Sequence, residues 1–171
     1  MDIRKFITQA ASILVLGFSA CGEQEGLLVG PAVPEDGVLN TSSQALLSNK
    51  VLILSTTVTG GTSSQEYVSV QQLGLVPELV SPTQWAAKTA DDFATYRAII
   101  LGDPGCSTNI GLLTPPATNR ATWAPVITGN VLIVGAAPRL IANGLELTRD
   151  AIAFATANPE KTGAYINLSC Y

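Results

Sequence analysis

Two side chains that could take part in a reaction follow one apolar run near the middle of the chain. Ile99-Ile100-Leu101 leads into Gly102-Asp103-Pro104-Gly105-Cys106, so a carboxylate and a thiol stand three residues apart after a predicted buried strand. In open α/β sheets, ligands bind beyond the carboxyl ends of the strands. Asp103 could act there as an acid, a base or a cation ligand, and Cys106 as a nucleophile. The favoured alternative for Asp103 is that it fixes the turn before Pro104 by accepting backbone N–H bonds.

The chain contains no histidine, and this restricts its chemistry. Neither a Ser–His nor a Cys–His pair can form, and no imidazole is present to bind a metal. Cys106 has no cationic neighbour in the sequence that would stabilise a thiolate. Lys50, Lys88 and Lys161 stand beside turn or helix-edge signals that predict solvated side chains. The sequence therefore predicts no catalytic residue, no metal site and no cofactor.

A ligand cleft at the same edge of the sheet is a second interpretation. The loop Ser55–Thr62 is rich in hydroxyls and carries two glycines before a predicted helix start, an arrangement that can cradle a phosphate. Arg139 follows another predicted strand and could bind an anion. The candidate cleft residues are Ser55, Thr56, Thr57, Gly60, Gly61, Asp103 and Arg139. The favoured alternative is a plain loop that leads into a capped helix.

Cys106 and Cys170 both follow predicted strands, Ile99–Leu101 and Ala164–Leu168. Parallel strands would bring both thiols to one edge of the sheet. In an oxidising compartment the two cysteines are a candidate disulfide. The alternative is two separate buried thiols.

The N-terminus predicts export. The basic pair Arg4-Lys5 precedes an apolar run, Ala10–Phe18, that is too short to span a bilayer. Ser19-Ala20-Cys21 follows at once and resembles the lipobox of bacterial lipoproteins, in which the cysteine is lipidated and becomes the new N-terminus. This resemblance implies a protein held on a bacterial membrane, in the periplasm or at the cell surface, by a lipid on Cys21. The alternative is an ordinary secretory signal that is cleaved before a free Cys21.

The composition of the chain limits the class of protein that it can form and the partners that it can bind. Hydrophobic residues make up 47% of the 171 residues and charged residues 13%, which suits one domain with a real core. The formal net charge is −4 and no basic stripe is present, so nucleic-acid binding is excluded. We assign residues 1–20 to a signal peptide, 21–48 to the lipidated cysteine and a flexible tether, and 49–171 to an α/β domain.

Short apolar runs alternate with helical patterns along this domain. The predicted strands are Lys50–Leu54, Val76–Val80, Ala98–Leu101, Val131–Val134 and Ala164–Leu168. Right-handed crossovers then give a doubly wound parallel sheet of about five strands, in the order 2-1-3-4-5. The run Val131–Val134 predicts a strand that is buried on both faces. A capping pair, Ser63 and Glu66, predicts the start of the first helix, and Ser81–Trp85 is predicted as a loop.

Three segments carry a family resemblance: Lys-Val-Leu-Ile-Leu from residue 50, Tyr-Arg-Ala-Ile-Ile-Leu-Gly-Asp from residue 96, and Asn-Val-Leu-Ile-Val-Gly from residue 130. In strand–helix order, Lys50–Tyr171 resembles the flavodoxin-like group and, within it, the class I glutamine amidotransferase-like superfamily. Members with chemistry place a cysteine nucleophile at a strand-to-helix elbow, beside a histidine. The matching elbow here carries Ala136 and Ala137 instead of the thiol. The resemblance therefore implies a degenerate, non-catalytic site.

These observations predict an exported lipoprotein with a non-catalytic α/β domain that binds a small ligand or a protein of the cell envelope. One alternative is a hydrolase or amidotransferase-like enzyme that uses Asp103 or Cys106. A further alternative is an FMN-binding protein, because Ser55–Thr62 resembles the flavodoxin phosphate loop. The flavin is disfavoured since the exit loops 103–110 and 135–142 contain no aromatic side chain to flank its ring.

Overall fold

Parallel strands and short helices alternate along the domain. The structure, a computed structural model, describes residues 48–102 and 113–168. The strands are β1 Lys50–Leu54, β2 Val76–Val80, β3 Ala98–Leu101, β4 Ile127–Val134 and β5 Thr162–Asn167. The helices are α1 Gln65–Gln72, α2 Pro82–Ala86, α3 Ala90–Ala94, α4 Thr114–Thr118, α5 Arg120–Trp123 and α6 Gly144–Ala155. Within these ranges, no helix is long and apolar enough to cross a bilayer.

The five strands form one parallel sheet, which confirms the predicted α/β class. Their order is β2-β1-β3-β5-β4, so the predicted order 2-1-3-4-5 is wrong in its last two positions. The last strand of the chain enters between β3 and β4. Ala164 consequently lies opposite Ile99 in one ladder and opposite Val131 in the other.

Small residues let β5 occupy this crowded position. Gly163 lies so close to the carbonyl oxygens of Ala155 in α6 and Asn130 in β4 that an added Cβ would overlap both. A larger residue at this position would push β5 away from the helix and from its neighbour. The close approach of these backbones therefore requires a residue without a side chain at position 163.

β4 is consequently an edge strand, and the prediction that Val131–Val134 is buried on both faces is wrong. Leu132 and Val134 pack against the core beneath α1 and α6. Val131 and Ile133 point to the opposite face, where they are 48% and 59% exposed. A continuous apolar run is typical of a central parallel strand, but it does not distinguish that strand from an edge strand with one uncovered face.

Two hydrophobic cores lie on opposite faces of the sheet, because successive side chains of a strand point in opposite directions. On one face, Ile53 packs with Val70 of α1 and Ile152 of α6. On the other face, Leu52 packs with Trp85 of α2. Helices thus cover both faces of the sheet, as a doubly wound arrangement requires.

Local capping accounts for where the helices begin. α1 begins after Ser64, whose Oγ accepts a hydrogen bond from the Tyr67 amide at 3.2 Å, so the N-cap is one residue later than predicted. Ser81 and Gln84 form a capping box with Pro82 in the first helical position. The segment predicted as a loop is therefore the short helix α2, because its capping signal outweighs its Ser-Pro turn signal.

A polar cluster protects the other edge of the sheet, at β2. The Glu78 carboxylate accepts hydrogen bonds from Tyr96 Oη at 2.6 Å, Lys50 Nζ at 3.3 Å and Lys88 Nζ at 3.4 Å. Partial burial acts to raise the pKa of Glu78, but these three donors outweigh it and hold the pKa below 4.5. Burial, and then the Glu78 carboxylate, raise the pKa of Tyr96.

We expect Glu78→Gln to destabilise the fold at neutral pH by at most about 1 kcal/mol, since the carboxylate is partly solvated. Because the folded-state pKa lies below the unfolded one, the stabilisation is complete above the unfolded pKa and is lost as pH falls through the folded pKa. Urea unfolding at pH 7 and pH 3 measures both values. The gap between wild type and Glu78→Gln should be smaller at pH 3 than at pH 7, whereas the exposed control Glu160→Gln should show no such gap. A gap that is constant with pH would contradict this role.

Candidate functional site

The exits of β1 and β3 are joined by one buried threonine. Ser55–Thr57 forms a 3-10 turn directly after β1. The Thr57 hydroxyl donates to the Leu54 carbonyl at 2.8 Å and accepts a hydrogen bond from the Gly102 amide at 3.0 Å. The hydroxyl of this predicted cleft residue is thus occupied by the fold, and it holds the end of β3 against the loop after β1.

Gly102 packs tightly at this point. A Cβ on Gly102 would lie 2.5 Å from the Thr57 carbonyl oxygen, 2.8 Å from Glu66 Oε1 and 3.0 Å from Val58 Cγ1. Backbone and side chains of the first loop therefore cover the end of β3. Sequence reasoning interpreted Gly102 only as part of a turn, and no pattern in the sequence shows how close its neighbours come.

Glu66 is the acidic group that sequence reasoning assigned to capping alone. The residue is buried in the first turn of α1, and its carboxylate reaches Gly102 at the carboxyl edge of the sheet. The positive end of the helix dipole stabilises a carboxylate in this position. The Glu66 side chain occupies the space beside this helix end, so the geometry favours a capped helix over a phosphate cradle.

The two glycines of the loop have a conformational role. Gly60 and Gly61 adopt φ angles of 95° and 58°, in the left-handed region that favours glycine. They turn the chain into the 3-10 segment Gly61–Ser63, which precedes the N-cap Ser64. The Gly-Gly pair is thus needed to connect β1 with α1.

The groove at this edge is very small. Its lining residues are Thr59, Gln65, Glu66, Ala137, Pro138, Arg139 and Asn167. The enclosed space is about 10 Å³, which is room for about one water molecule. Of the predicted cleft residues, Arg139 lines this groove opposite Glu66, whereas Ser55, Thr56, Thr57, Gly60 and Gly61 do not.

The remaining predicted sites lie outside the described residues. Asp103 and Cys106 fall in the segment 103–112, Cys170 falls in 169–171, and Cys21 falls in 1–47. The turn or acid–base role of Asp103, the nucleophilic role of Cys106 and the Cys106–Cys170 disulfide therefore stay predictions, as does lipidation of Cys21.

A wider groove lies between α2 and α4. Its volume is about 630 Å³, and its lining residues are Pro82, Thr83, Ala86, Thr114, Pro115, Thr118 and Asn119. The Asn119 amide is committed to the core, because its Oδ1 accepts from Trp85 Nε1 at 2.8 Å. Without an ionisable lining residue, this groove offers few groups to orient a polar ligand.

Ionisable groups elsewhere serve the fold. Lys88 is only 17% exposed and donates to Tyr96 Oη at 2.7 Å, so the prediction of a solvated Lys88 side chain is wrong. Lys50 and Lys88 both share the Glu78 carboxylate. In the described part of the chain, no three His, Cys, Asp or Glu side chains come together to hold a metal ion.

Comparison with known proteins adds no relative from which a role could be transferred. No family model, no curated protein and no solved structure matches this chain. The resemblance to the amidotransferase-like superfamily therefore stays a prediction. The site has to be interpreted from the contacts of its own residues.

We expect Gly102→Ala to destabilise the domain by roughly 1–3 kcal/mol, because the new methyl group overlaps the Thr57 carbonyl. Gly135→Ala is the matched control. Gly135 also directly follows a strand, β4, and nothing lies within 4 Å of a Cβ placed there. Chemical denaturation of both variants checks this, with the control expected within about 0.5 kcal/mol of wild type. Equal stability of the two variants would mean that the β3 exit is loosely packed.

Proposed function

We propose that this chain is an exported, lipid-anchored protein whose α/β domain binds another protein and catalyses no reaction. One observation carries the proposal: at the exits of β1 and β3, on the sheet edge where α/β domains bind small ligands, the described residues pack closely against one another. Thr57 and Glu66 close over Gly102 at this edge. The domain is thus a scaffold that binds another protein on its outer surface.

The available space supports this choice. Small-molecule sites are clefts of about 300–1,000 Å³ that bury most of the ligand. The groove beside Glu66 and Arg139 encloses about 10 Å³, far below that range, and the groove of about 630 Å³ between α2 and α4 has no ionisable residue in its described lining to orient a polar ligand. A protein partner needs no such cleft, because protein interfaces form on open surfaces.

The side chains at this edge support it as well. Glu66 and Arg139 both line the groove, and together with its other lining residues they leave room for about one water molecule. The chain has no histidine, and Lys50 and Lys88 hold Glu78 at the far strand. Histidine is therefore absent as a general base, and Lys50 and Lys88 are engaged in structural contacts with Glu78.

The N-terminal segments support export and anchoring. Arg4-Lys5, the run Ala10–Phe18 and the junction Ala20-Cys21 have the order of a lipoprotein leader. A lipid on Cys21 would hold the acidic domain at the membrane surface without help from electrostatic attraction. Residues 22–48 then connect the anchor to the domain.

We expect Cys21→Ser to release the protein from the membrane when it is produced with its own leader in a bacterium. Wild type should partition into the detergent phase of Triton X-114, and mass spectrometry should find acyl chains on its N-terminal cysteine. Cys21→Ser should partition into the aqueous phase, whereas Cys106→Ser serves as the control that stays in detergent. A Cys21→Ser protein that still enters detergent would refute the anchor.

Small ligands should leave the stability of the unlipidated Cys21→Ser protein unchanged. Thermal unfolding with FMN, L-glutamine or inorganic phosphate at millimolar concentration measures this. A ligand present at a hundred times its dissociation constant would add about 2.7 kcal/mol, or upwards of about 5 °C in Tm. Such a shift for any of the three, abolished by Arg139→Gln, would overturn the protein-binding proposal in favour of a small-ligand site.

A further inference from the structure

The open edge of β4 is an interaction surface that neither the carboxyl edge nor the anchor explains. β4 is eight residues long, Ile-Thr-Gly-Asn-Val-Leu-Ile-Val, and contains neither a charged residue nor proline. Among the described strands it pairs only with β5. Proteins commonly protect edge strands with charge or proline, and β2 carries both, Pro77 and Glu78. Of the two edges of the described sheet, only β4 lacks this protection.

The direction of the backbone groups follows from the ladder with β5. The Leu168 amide donates to the Val134 carbonyl at 2.9 Å, so Val134 turns its backbone groups toward β5. These directions alternate along a strand. Val131 and Ile133 therefore present their N–H and C=O groups to the open edge, and their side chains are the exposed apolar pair on one face.

We infer that β4 pairs antiparallel with β4 of a second copy of this chain, about a two-fold axis at Leu132. This inference rests on the protein-binding part of the proposed function and names its surface and partner. In this register Val131 lies opposite Ile133 of the second copy, and the reciprocal pair is equivalent. About four backbone hydrogen bonds form across the axis. The pairing joins the two five-stranded sheets into one.

The self-complementarity of β4 favours a second copy as the occupant. The chain carries a net charge of −4, so two copies repel each other wherever they meet through acidic surfaces. β4 is uncharged along its whole length, and an antiparallel pair of such strands opposes no like charges. The two-fold axis also places branched Val131 against branched Ile133 twice, and each such cross-strand pair adds roughly 0.2–1 kcal/mol.

The pairing is expected to stop at two copies. An isologous contact uses the same surface on both partners and leaves no free equivalent. The remaining outer edges would be the two β2 strands, which Pro77 and the Glu78 cluster protect. The strand thus favours a closed dimer over a fibre.

On the face of the sheet opposite to Val131 and Ile133, α6 adds a second apolar surface beside β4. Leu147 and Phe154 are exposed, and because they are seven residues apart they lie on the same side of the helix. The Asn130 side chain donates to the Phe154 carbonyl at 2.9 Å, which brings the end of α6 next to β4. Stable interfaces bury about 800 Å² per partner, more than one strand of about 26 Å supplies. We therefore expect a dimer that needs both elements and dissociates on dilution.

Two valine variants test the surface. Val131 and Val76 lie on opposite edge strands and are 48% and 45% exposed, so lysine is tolerated by the fold at either position. Sedimentation velocity of the unlipidated Cys21→Ser protein is measured over a concentration series. We expect a monomer–dimer equilibrium for this protein and for Val76→Lys, and a dissociation constant raised at least tenfold by Val131→Lys. Far-ultraviolet circular dichroism and Tm should be unchanged in both.

A cysteine pair tests the register. Leu132 would face its own copy across the axis at a Cα separation of about 4.5 Å, within disulfide range. Leu132→Cys should form an interchain disulfide on mild oxidation, identified by peptide mapping, and Ile133→Cys should not link to itself. A preferred 133–133 link would overturn the register.

Three results would overturn self-association through β4: a monomer at every concentration, a dimer that Val131→Lys does not weaken, or β4 occupied by an unrelated protein while the isolated chain stays monomeric. None of these results refutes the proposed function, because a different result would refute it, namely stabilisation of the Cys21→Ser protein by a small ligand. The two failures are therefore distinguishable.

Discussion

The close packing of Gly163 against the backbones of α6 and β4 underlies the arrangement of this domain. A side chain at this position would collide with the Ala155 carbonyl, so only glycine lets β5 lie beneath α6. With β5 inserted next to β3, β4 moves to the edge of the sheet. The uncovered Val131 and Ile133 follow directly from this packing, and they create the surface that we assign to a second copy.

At the carboxyl edge, a second set of close contacts fills the described space between the exits of β1 and β3. Thr57 ties the exit of β1 to Gly102 at the exit of β3, and the Glu66 carboxylate lies against the same glycine. The positive helix end of α1, which in other α/β domains can bind an anion, is thereby occupied by the protein's own acid. We therefore place the proposed protein-binding surface at the edge strand β4 and not at the carboxyl edge of the sheet.

Much of the fold was predictable from residue patterns, and the failures have identifiable causes. Apolar runs located all five strands, because this signal is local. The position of β5 depends on contacts between residues far apart in the chain, such as Gly163 with Ala155, which no local pattern encodes. In the candidate site, Arg139 lines the same small groove as Glu66. The position of the Glu66 carboxylate was missed, because a capping residue and a buried acid look identical in sequence.

The amino-acid sequence by itself determined the parallel α/β class, the absence of histidine chemistry, the net negative charge of the chain and the lack of charged residues in β4. These properties depend on composition and short-range periodicity. Only the tertiary structure decided which strand is central, which apolar residues stay exposed and how little space the groove beside Glu66 encloses. Those properties depend on distances of a few ångströms between segments remote in sequence, such as Thr57 and Gly102. The stretch Gly102–Cys106 shows the difference. Its sequence indicates a candidate site. The contacts of Gly102 show that neighbouring residues pack closely around the end of β3, where this stretch begins.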